Sequence, residues 1–306
     1  MLKEIAIVTI VVSNLGQVET AWKEHFNYAV EDRGTVSSEL SEYWGAEKMT
    51  GHDYIVMQPA NDAPVFIRFV EDAAAASYTP MTSHGWNATE LLVKDPDTLE
   101  AGMQDSAFKV VGPSKDLWPA PDAPRAMQAI GPGNELVYLT RNNQAAEALG
   151  LDDTMPLAER PFIMVLGGPS MGELGEFYGG TLELRVDPPS FFKISMISKA
   201  NNLDPEEVYP LSIVYTAPGY LIELDELPES VGPREVQPGH LPPGVAIVGF
   251  NAINLVEGLN WRSKPRALND FPYNGREAGI LIGPAGELIE VIEPELGDWG
   301  LWPGME

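Results

Sequence analysis

Cysteine is absent from this chain of 306 residues, and histidine occurs only four times. The absence of cysteine excludes disulfides, thiolate metal sites and a cysteine nucleophile. Basic residues are also scarce, since 19 Lys and Arg stand against 45 Asp and Glu and leave a formal net charge of −26. Because nucleic acids and anionic membranes bind basic surfaces, this charge argues against both as partners.

Long apolar runs are lacking as well. The run at residues 5–12, IAIVTIVV, is too short to span a bilayer, and no signal-peptide cleavage pattern follows it. We therefore expect a buried strand at this place and a cytoplasmic protein. P-loop, GxGxxG, HExxH and EF-hand motifs are missing too, so no bound nucleotide is expected.

A repeat at half the chain length is the strongest positive signal. Residues 130–140 read IGPGNELVYLT, and residues 282–292, which begin 152 positions later, read IGPAGELIEVI. Each copy has the pattern of a strand, a Gly/Pro turn and a second strand. Such a repeat predicts two related halves.

Within each half, the sequence pattern predicts two modules, and each module has the order strand, helix and three strands. The four predicted modules cover residues 1–75, 84–142, 158–228 and 244–294. Their first strands are expected at residues 5–12, 86–93, 162–166 and 245–252. Helices are expected after them at residues 17–28, 96–104, 171–182 and 255–261.

The sequence IVTIVVSNL, followed by a Trp-bearing amphipathic helix, resembles the vicinal-oxygen-chelate superfamily, and GPAGELIEVIE and GYLIELDE resemble its closing strand. This superfamily includes glyoxalase I, extradiol dioxygenases, fosfomycin-resistance proteins and bleomycin-binding proteins. The resemblance covers most of the chain and implies an α+β fold in which four βαβββ modules pair into two open mixed-sheet barrels. We expect neighbouring modules to pair, with an N-terminal barrel in residues 1–145 and a C-terminal barrel in residues 158–306 that ends in an acidic tail.

The resemblance also implies where metal ligands would lie, at one inward position on the first strand and one on the last strand of each module. The first-strand positions are Ile7, Ala88, Ile247 and Phe162, or Pro161 if the register slips by one. The last-strand positions are Arg68, Tyr138, Glu223 and Glu290. Apolar side chains cannot hold a metal, and His25, His52, His84 and His240 fall on none of these positions. We therefore expect no cofactor, and a divalent metal at Glu223 and Glu290 is the alternative.

Strand alternation predicts what the N-terminal barrel holds. Arg68, Glu90, Tyr138 and Trp86 would share one apolar cavity. The guanidinium of Arg68 would bind an anionic oxygen, and Tyr138 would donate to the same oxygen or act as an acid. The alternative is an Arg68–Glu90 ion pair that only stabilises the barrel.

In the C-terminal barrel the same alternation predicts Glu223, Asp225 and Glu290 beside Asn251 and Gly249. Facing carboxylates in an apolar cavity raise the pKa of at least one of them, which suits acid/base chemistry or the binding of a cation. Gly249 would leave room for the ligand. The alternative is that these glutamates lie at strand ends in water.

A competing motif is G-x-S-x-G at residues 168–172, the nucleophile-elbow pattern of α/β-hydrolases. Asp225 and His240 follow Ser170 in the order used by that fold. The hairpin pattern and the half-chain repeat do not fit a hydrolase, and Ser170 would otherwise cap a helix. A serine hydrolase is kept as an alternative.

Together these observations predict a glyoxalase/dioxygenase-like protein that binds and converts a small oxygenated compound, aromatic compounds included, without the usual metal site. The expected catalytic residues are Glu223, Glu290 and Tyr138, and the expected binding residues are Arg68, Glu90, Trp86 and Asn251. An enzyme of this kind would be a lyase, an isomerase or dioxygenase-like. The alternative is a non-catalytic binder of a cationic or aromatic ligand, like the bleomycin-binding proteins. Exposed β-edges favour a homodimer.

Overall fold

The computed structural model describes residues 2–253 and 259–293. The strands of the first two modules are β1 (Leu2–Val12), β2 (Tyr28–Thr35), β3 (Asp53–Pro59), β4 (Phe66–Glu71), β5 (Gly85–Val93), β6 (Lys109–Asp116), β7 (Arg125–Ile130) and β8 (Leu136–Arg141). Those of the last two are β9 (Ala158–Gly168), β10 (Arg185–Val186), β11 (Ser190–Phe192), β12 (Tyr209–Ala217), β13 (Tyr220–Glu226), β14 (Gly244–Ala252), β15 (Trp261–Ala267), β16 (Glu277–Ile282) and β17 (Leu288–Ile292).

The helices are short and lie between these strands. They are α1 (Leu15–Phe26), α2 (Ser38–Trp44), α3 (Pro96–Gly102), α4 (Asn143–Ala148), α5 (Met171–Gly175) and α6 (Ser195–Asn201), and a π-helical turn (Glu176–Thr181) continues α5. Local caps fix their ends: the Asn14 side chain accepts a hydrogen bond from the Gln17 backbone N–H at 2.9 Å, and Asn27 ends α1 in the left-handed conformation. The capped helix therefore starts and ends two residues before the predicted one.

The fold class is confirmed, because the modules build two large mixed sheets with few helices. One sheet has eight strands in the order β15-β16-β17-β14-β1-β4-β3-β2. The other has nine, in the order β10-β12-β13-β9-β5-β8-β7-β6 with β11 beside β12. Neither sheet closes on itself, because the first and last strands of each order are edge strands.

The predicted pairing of neighbouring modules is wrong. β1 of the first module pairs antiparallel with β14 of the fourth, and β5 of the second pairs with β9 of the third. All four first strands are buried along nearly their whole length, so the local sequence does not distinguish one partner from another. We call the interior of modules one and four the first cup, and that of modules two and three the second cup.

The largest hydrophobic core lies between the two sheets rather than inside the cups. It combines side chains from both sheets, such as Val8 and Phe250 of the first and Met164 and Leu166 of the second. Two separate clusters fill the cups.

The half-chain repeat has a visible role in joining the sheets. Glu135, in the turn before β8, accepts hydrogen bonds from the Trp22 indole N–H at 3.0 Å and from the Gly133 backbone N–H at 2.8 Å. Glu287, in the turn before β17, accepts from the Tyr178 hydroxyl at 2.9 Å and from a turn amide at 2.8 Å. In each case the donor side chain follows a first strand of the opposite sheet, so each copy of the repeat ties one sheet to the other.

Some predicted elements lie outside the described residues. The helix expected at residues 255–261 falls largely on residues 254–258, and the acidic tail with Trp299 and Trp302 falls on residues 294–306. Within the part of the chain that the structure describes, no helix has the length and apolar character needed to cross a membrane.

Candidate functional site

The first cup is built around a buried arginine. Arg68 is 0% exposed, and its guanidinium donates to the Tyr273 hydroxyl at 3.3 Å and to the Phe271 carbonyl at 2.8 Å. Tyr273 in turn donates to Glu290 at 2.8 Å, and the guanidinium lies 5.4 Å from the ring centre of Trp44. The cation and the carboxylate are therefore joined through one tyrosine.

The rest of the first cup is filled by protein side chains. Trp44 is buried beside the arginine, and Tyr43 is buried beside Tyr273. At Gly249 an added Cβ would lie 2.7 Å from the Glu290 carboxylate and 2.8 Å from Ile7. The prediction that Gly249 leaves room for a ligand is thus wrong, because the Glu290 side chain occupies that space.

The second cup brings together three carboxyl groups and a tyrosine. Glu90 on β5 and Tyr138 on β8 are neighbours across the parallel ladder. Glu223 and Asp225 lie on β13, which is separated from β5 only by β9. Asp225 is 0% and Glu90 5% exposed, whereas Glu223 is half-buried and marks the accessible side of the group.

Burial governs the titration of this group. It raises the pKa of Glu90 to about 7 and that of Asp225 to about 8. Burial and the charges of Asp225 and Glu90 raise the pKa of Glu223 well above its usual range. The pKa of Tyr138 is raised by burial and then by the charges of all three carboxyl groups, which shows that the four side chains lie near one another.

The second cup also contains polar atoms without partners. Both carboxyl oxygens of Asp225 and the Tyr138 hydroxyl are buried, and none has a hydrogen-bond partner in the described part of the chain. Buried polar atoms are costly when unpaired, at about 1–3 kcal/mol each. The arrangement is therefore suited to a ligand that donates hydrogen bonds.

The structure distributes the predicted site residues between the two cups differently from the predicted barrels. Arg68 does not share a cavity with Glu90 or Tyr138, so the proposed Arg68–Glu90 ion pair is wrong. Glu223 and Glu290 lie in different cups and do not face each other. The partner that sequence reasoning missed is Tyr273, whose position in a Pro- and Gly-containing loop carries no periodic signal.

Two further predicted binding residues have different surroundings. Trp86 points into the core between the sheets, where its indole donates to the Leu288 carbonyl at 2.9 Å. Asn251 is half-buried on β14, and its carboxamide oxygen has no partner among the described residues. Trp86 therefore lies outside both cups.

The metal site that the resemblance implies does not fit these residues. In the first cup the four positions are Ile7, Arg68, Ile247 and Glu290, and in the second they are Ala88, Tyr138, Ile163 and Glu223. Ile163 replaces the predicted Phe162, because Ile163 pairs with Glu90 and lies two residues from Val165, a member of the cluster in the second cup. Across residues 2–253 and 259–293, no three His, Asp or Glu side chains are arranged to hold a metal.

The serine-hydrolase alternative is not supported by the contacts. Ser170 caps α5 by accepting from the Glu173 backbone N–H at 3.4 Å. His240 lies 2.8 Å from Asp72. Asp225 lies in the second cup without a described partner.

Known proteins resemble this chain in structure but not in sequence. No family model and no curated protein sequence matches it. A mutant of glyoxalase I from Zea mays superposes with a TM-score of 0.62 at 12% identity, over 95% of this chain and 93% of the other. Another structure of glyoxalase I from Zea mays gives 0.57 at 12% identity, over 95% and 92%.

A proposed dioxygenase from Bacillus subtilis gives a TM-score of 0.59 at 11% identity, over 95% of this chain and 85% of the other. These alignments span all four modules and both sheets, while the identity is too low to transfer an activity. The chain therefore has the fold of these glyoxalase I and dioxygenase structures, with four modules arranged in two cups.

Proposed function

We propose that the protein binds a small organic cation with N–H donors, an amine in its protonated form, in the second cup. The observation that carries this proposal is Asp225, which is fully buried with both carboxyl oxygens unpartnered in the described structure. An ammonium group supplies several donors and a positive charge, and both are what this carboxyl group lacks.

Charge balance supports the same ligand class. Glu90, Glu223 and Asp225 form no salt bridge within the described residues. Isolated buried carboxylates take up protons instead of staying charged. A cation entering beside them would favour their ionised forms, and the net charge of −26 would attract it from solution.

The first test is Asp225→Asn, titrated with benzylamine and with its neutral analogue benzyl alcohol by calorimetry. We expect wild type to prefer benzylamine, and we expect the substitution to weaken benzylamine binding at least tenfold while benzyl alcohol is unaffected. Asp105→Asn removes an exposed carboxylate and is the matched control. Equal affinities of wild type for the two probes would contradict the proposal.

Proton release gives a second, independent prediction. Because the pKa of Asp225 is raised to about 8, this group is largely protonated at pH 7 in the free protein. A bound cation lowers the pKa, so binding at pH 7 should release about one proton. Calorimetric enthalpies of benzylamine binding in buffers with different ionisation enthalpies measure this number. Binding with no proton release would show that the ligand's charge does not contact these groups.

A converting role remains the second candidate, because Glu90 and Asp225 titrate near neutral pH, with pKa values of about 7 and about 8. Groups with such pKa values suit general acid/base chemistry of the lyase or isomerase type. Deuterium uptake from heavy water into carbon positions of a bound amine, measured by mass spectrometry, would favour this role if Glu90→Gln abolished it. The homodimer and the cytoplasmic location stay predictions.

A further inference from the structure

A cavity of about 490 Å³ lies against the end of the first cup, beneath the Pro-rich segment that joins the third and fourth modules. Val11 and Leu241, which belong to the cluster filling the first cup, form part of its wall. A cavity of this size holds a small organic molecule. It is separate from the carboxyl groups of the second cup.

A histidine–aspartate pair lines this cavity. His240 Nδ1 lies 2.8 Å from Asp72 Oδ2, and the second oxygen of Asp72 accepts from the Ala74 backbone N–H at 3.0 Å. The ring of His52 lies 6.0 Å from that of His240 at 89°, so the imidazole is braced from one side. His52 is itself anchored through Nδ1 to the Glu71 carbonyl at 2.6 Å.

When the imidazole of His240 is neutral, its contact with the Asp72 carboxylate places the proton on Nδ1. An ionised carboxylate only accepts hydrogen bonds, so Nδ1 must donate to Asp72. In the neutral imidazole, Nε2 is then left as an acceptor. No described residue donates a hydrogen bond to it.

We propose that this cavity is a second ligand site, which binds a neutral aromatic alcohol of the phenol class through a hydrogen bond from its hydroxyl to His240 Nε2.

The walls of the cavity select this chemistry. Most of them are apolar, from Val11, Ala75, Val236 and Leu241 and from neighbouring prolines, which suits an aromatic ring. Both oxygens of Asp72 already take part in hydrogen bonds, and the Glu235 carboxylate is exposed to solvent, so the wall has no buried free carboxylate for a cation. A carboxylate or phenolate would meet the negative charges of Asp72 and Glu235. The ligand class that fits these walls is a neutral aromatic ring with one hydrogen-bond donor.

Phenol and anisole test the hydrogen bond without any mutation, because anisole keeps the ring and loses the donor. We expect saturable phenol binding to wild type, at least tenfold tighter than anisole binding, in a titration followed by NMR or calorimetry. Absence of saturable phenol binding, or equal affinity for the two probes, overturns the proposal.

The substitution Asp72→Asn exchanges the hydrogen-bond donor and acceptor roles of the two His240 ring nitrogens. The amide oxygen stays on the Ala74 N–H, so the amide NH₂ faces His240 Nδ1, and the ring proton must move to Nε2. The imidazole becomes a donor towards the ligand, and the preference for phenol over anisole should fall to near unity or invert. His25→Gln, which alters a histidine elsewhere, should leave the preference as in wild type. If Asp72→Asn leaves it unchanged as well, His240 does not contact the hydroxyl.

This site is independent of the proposed amine site. Asp225→Asn should not change the phenol preference, and Asp72→Asn should not change benzylamine binding. Failure of either proposal is therefore visible while the other stands.

Discussion

Arg68, Glu290, Tyr138 and Glu223 occupy equivalent places on the last strand of their modules, yet the two cups differ in charge. The first cup pairs a cation with a carboxylate, and the second holds carboxyl groups without a cation. In the first cup, Arg68 and Glu290 both hydrogen-bond to Tyr273, although Arg68 Nε has no partner among the described residues. In the second cup, both carboxyl oxygens of Asp225 lack a partner among the described residues.

Replacing Arg68 by Met tests this difference. The substitution leaves Glu290 buried without its countercharge and removes the donor to the Phe271 carbonyl. Breaking a buried pair from one side costs about 3–5 kcal/mol in the free energy of unfolding. Chemical denaturation of Arg68→Met should show a loss in this range.

Lys193→Met is the matched control, because it removes an ion pair between Lys193 and Glu206 whose side chains are 56% and 74% exposed. Such exposed pairs contribute about 0–1 kcal/mol. If Arg68→Met lowers the free energy of unfolding no more than this control does, the buried arginine does not stabilise the cup.

The alternation of side chains along a strand predicts which residues point into a cup, except where the strand is irregular. Arg68, Tyr138, Glu223 and Glu290 were placed on inward positions, and the structure agrees. Trp86 was placed wrongly because the ladder of β5 and β9 shifts register between Trp86 and Ala88, so Trp86 turns to the core. A bulge of this kind has no signature in a run of apolar residues.

At the level of elements, the repeated Gly/Pro turns act as ties between the sheets, and their glycines make room for the buried glutamates. A Cβ at Gly131 would lie 2.0 Å from Glu135 Oε1, and one at Gly283 would lie 1.9 Å from Glu287 Oε1. Either substitution by Ala would displace the glutamate and leave a buried N–H donor unpaired. We expect each to lower the free energy of unfolding by about 1–3 kcal/mol.

Gly102→Ala is the control for these turns, because no atom lies within 4 Å of an added Cβ at this helical glycine. It should be neutral or stabilise by up to about 1 kcal/mol. Urea denaturation of the three variants compares them directly. Similar stabilities for Gly131→Ala, Gly283→Ala and Gly102→Ala would show that the ties are not needed.

Most elements could be predicted because their signals are local. The predicted first strands all overlap the observed ones, although β1 begins three residues and β9 four residues before its predicted start. β15 was missed because WRSKPRA is charged and contains proline, as edge strands often do, and β11 has only three residues. The pairing of modules one with four and two with three is a long-range choice between similar strands, and no local pattern encodes it.

For the whole molecule, the buried carboxyl groups make stability depend on pH. Burial raises the pKa of Glu90, Glu135 and Glu287 to about 7 and that of Asp225 to about 8. The unfolded chain loses these protons near pH 4, whereas the folded protein keeps them until pH 7 or 8. Between these limits the folded state binds more protons, so the free energy of unfolding falls as pH rises.

We therefore expect the protein to be several kcal/mol less stable at pH 8 than at pH 5, since each unit of pKa shift is worth about 1.4 kcal/mol. Urea denaturation at the two pH values measures the difference. Repulsion among surface charges changes in the same direction, but salt screens it, while buried groups are screened much less. The decrease should persist in high salt and become smaller in Asp225→Asn, whose amide does not titrate. A stability that rises towards pH 8, or a decrease that salt abolishes, would mean that surface charge and not the buried carboxyl groups sets the pH response.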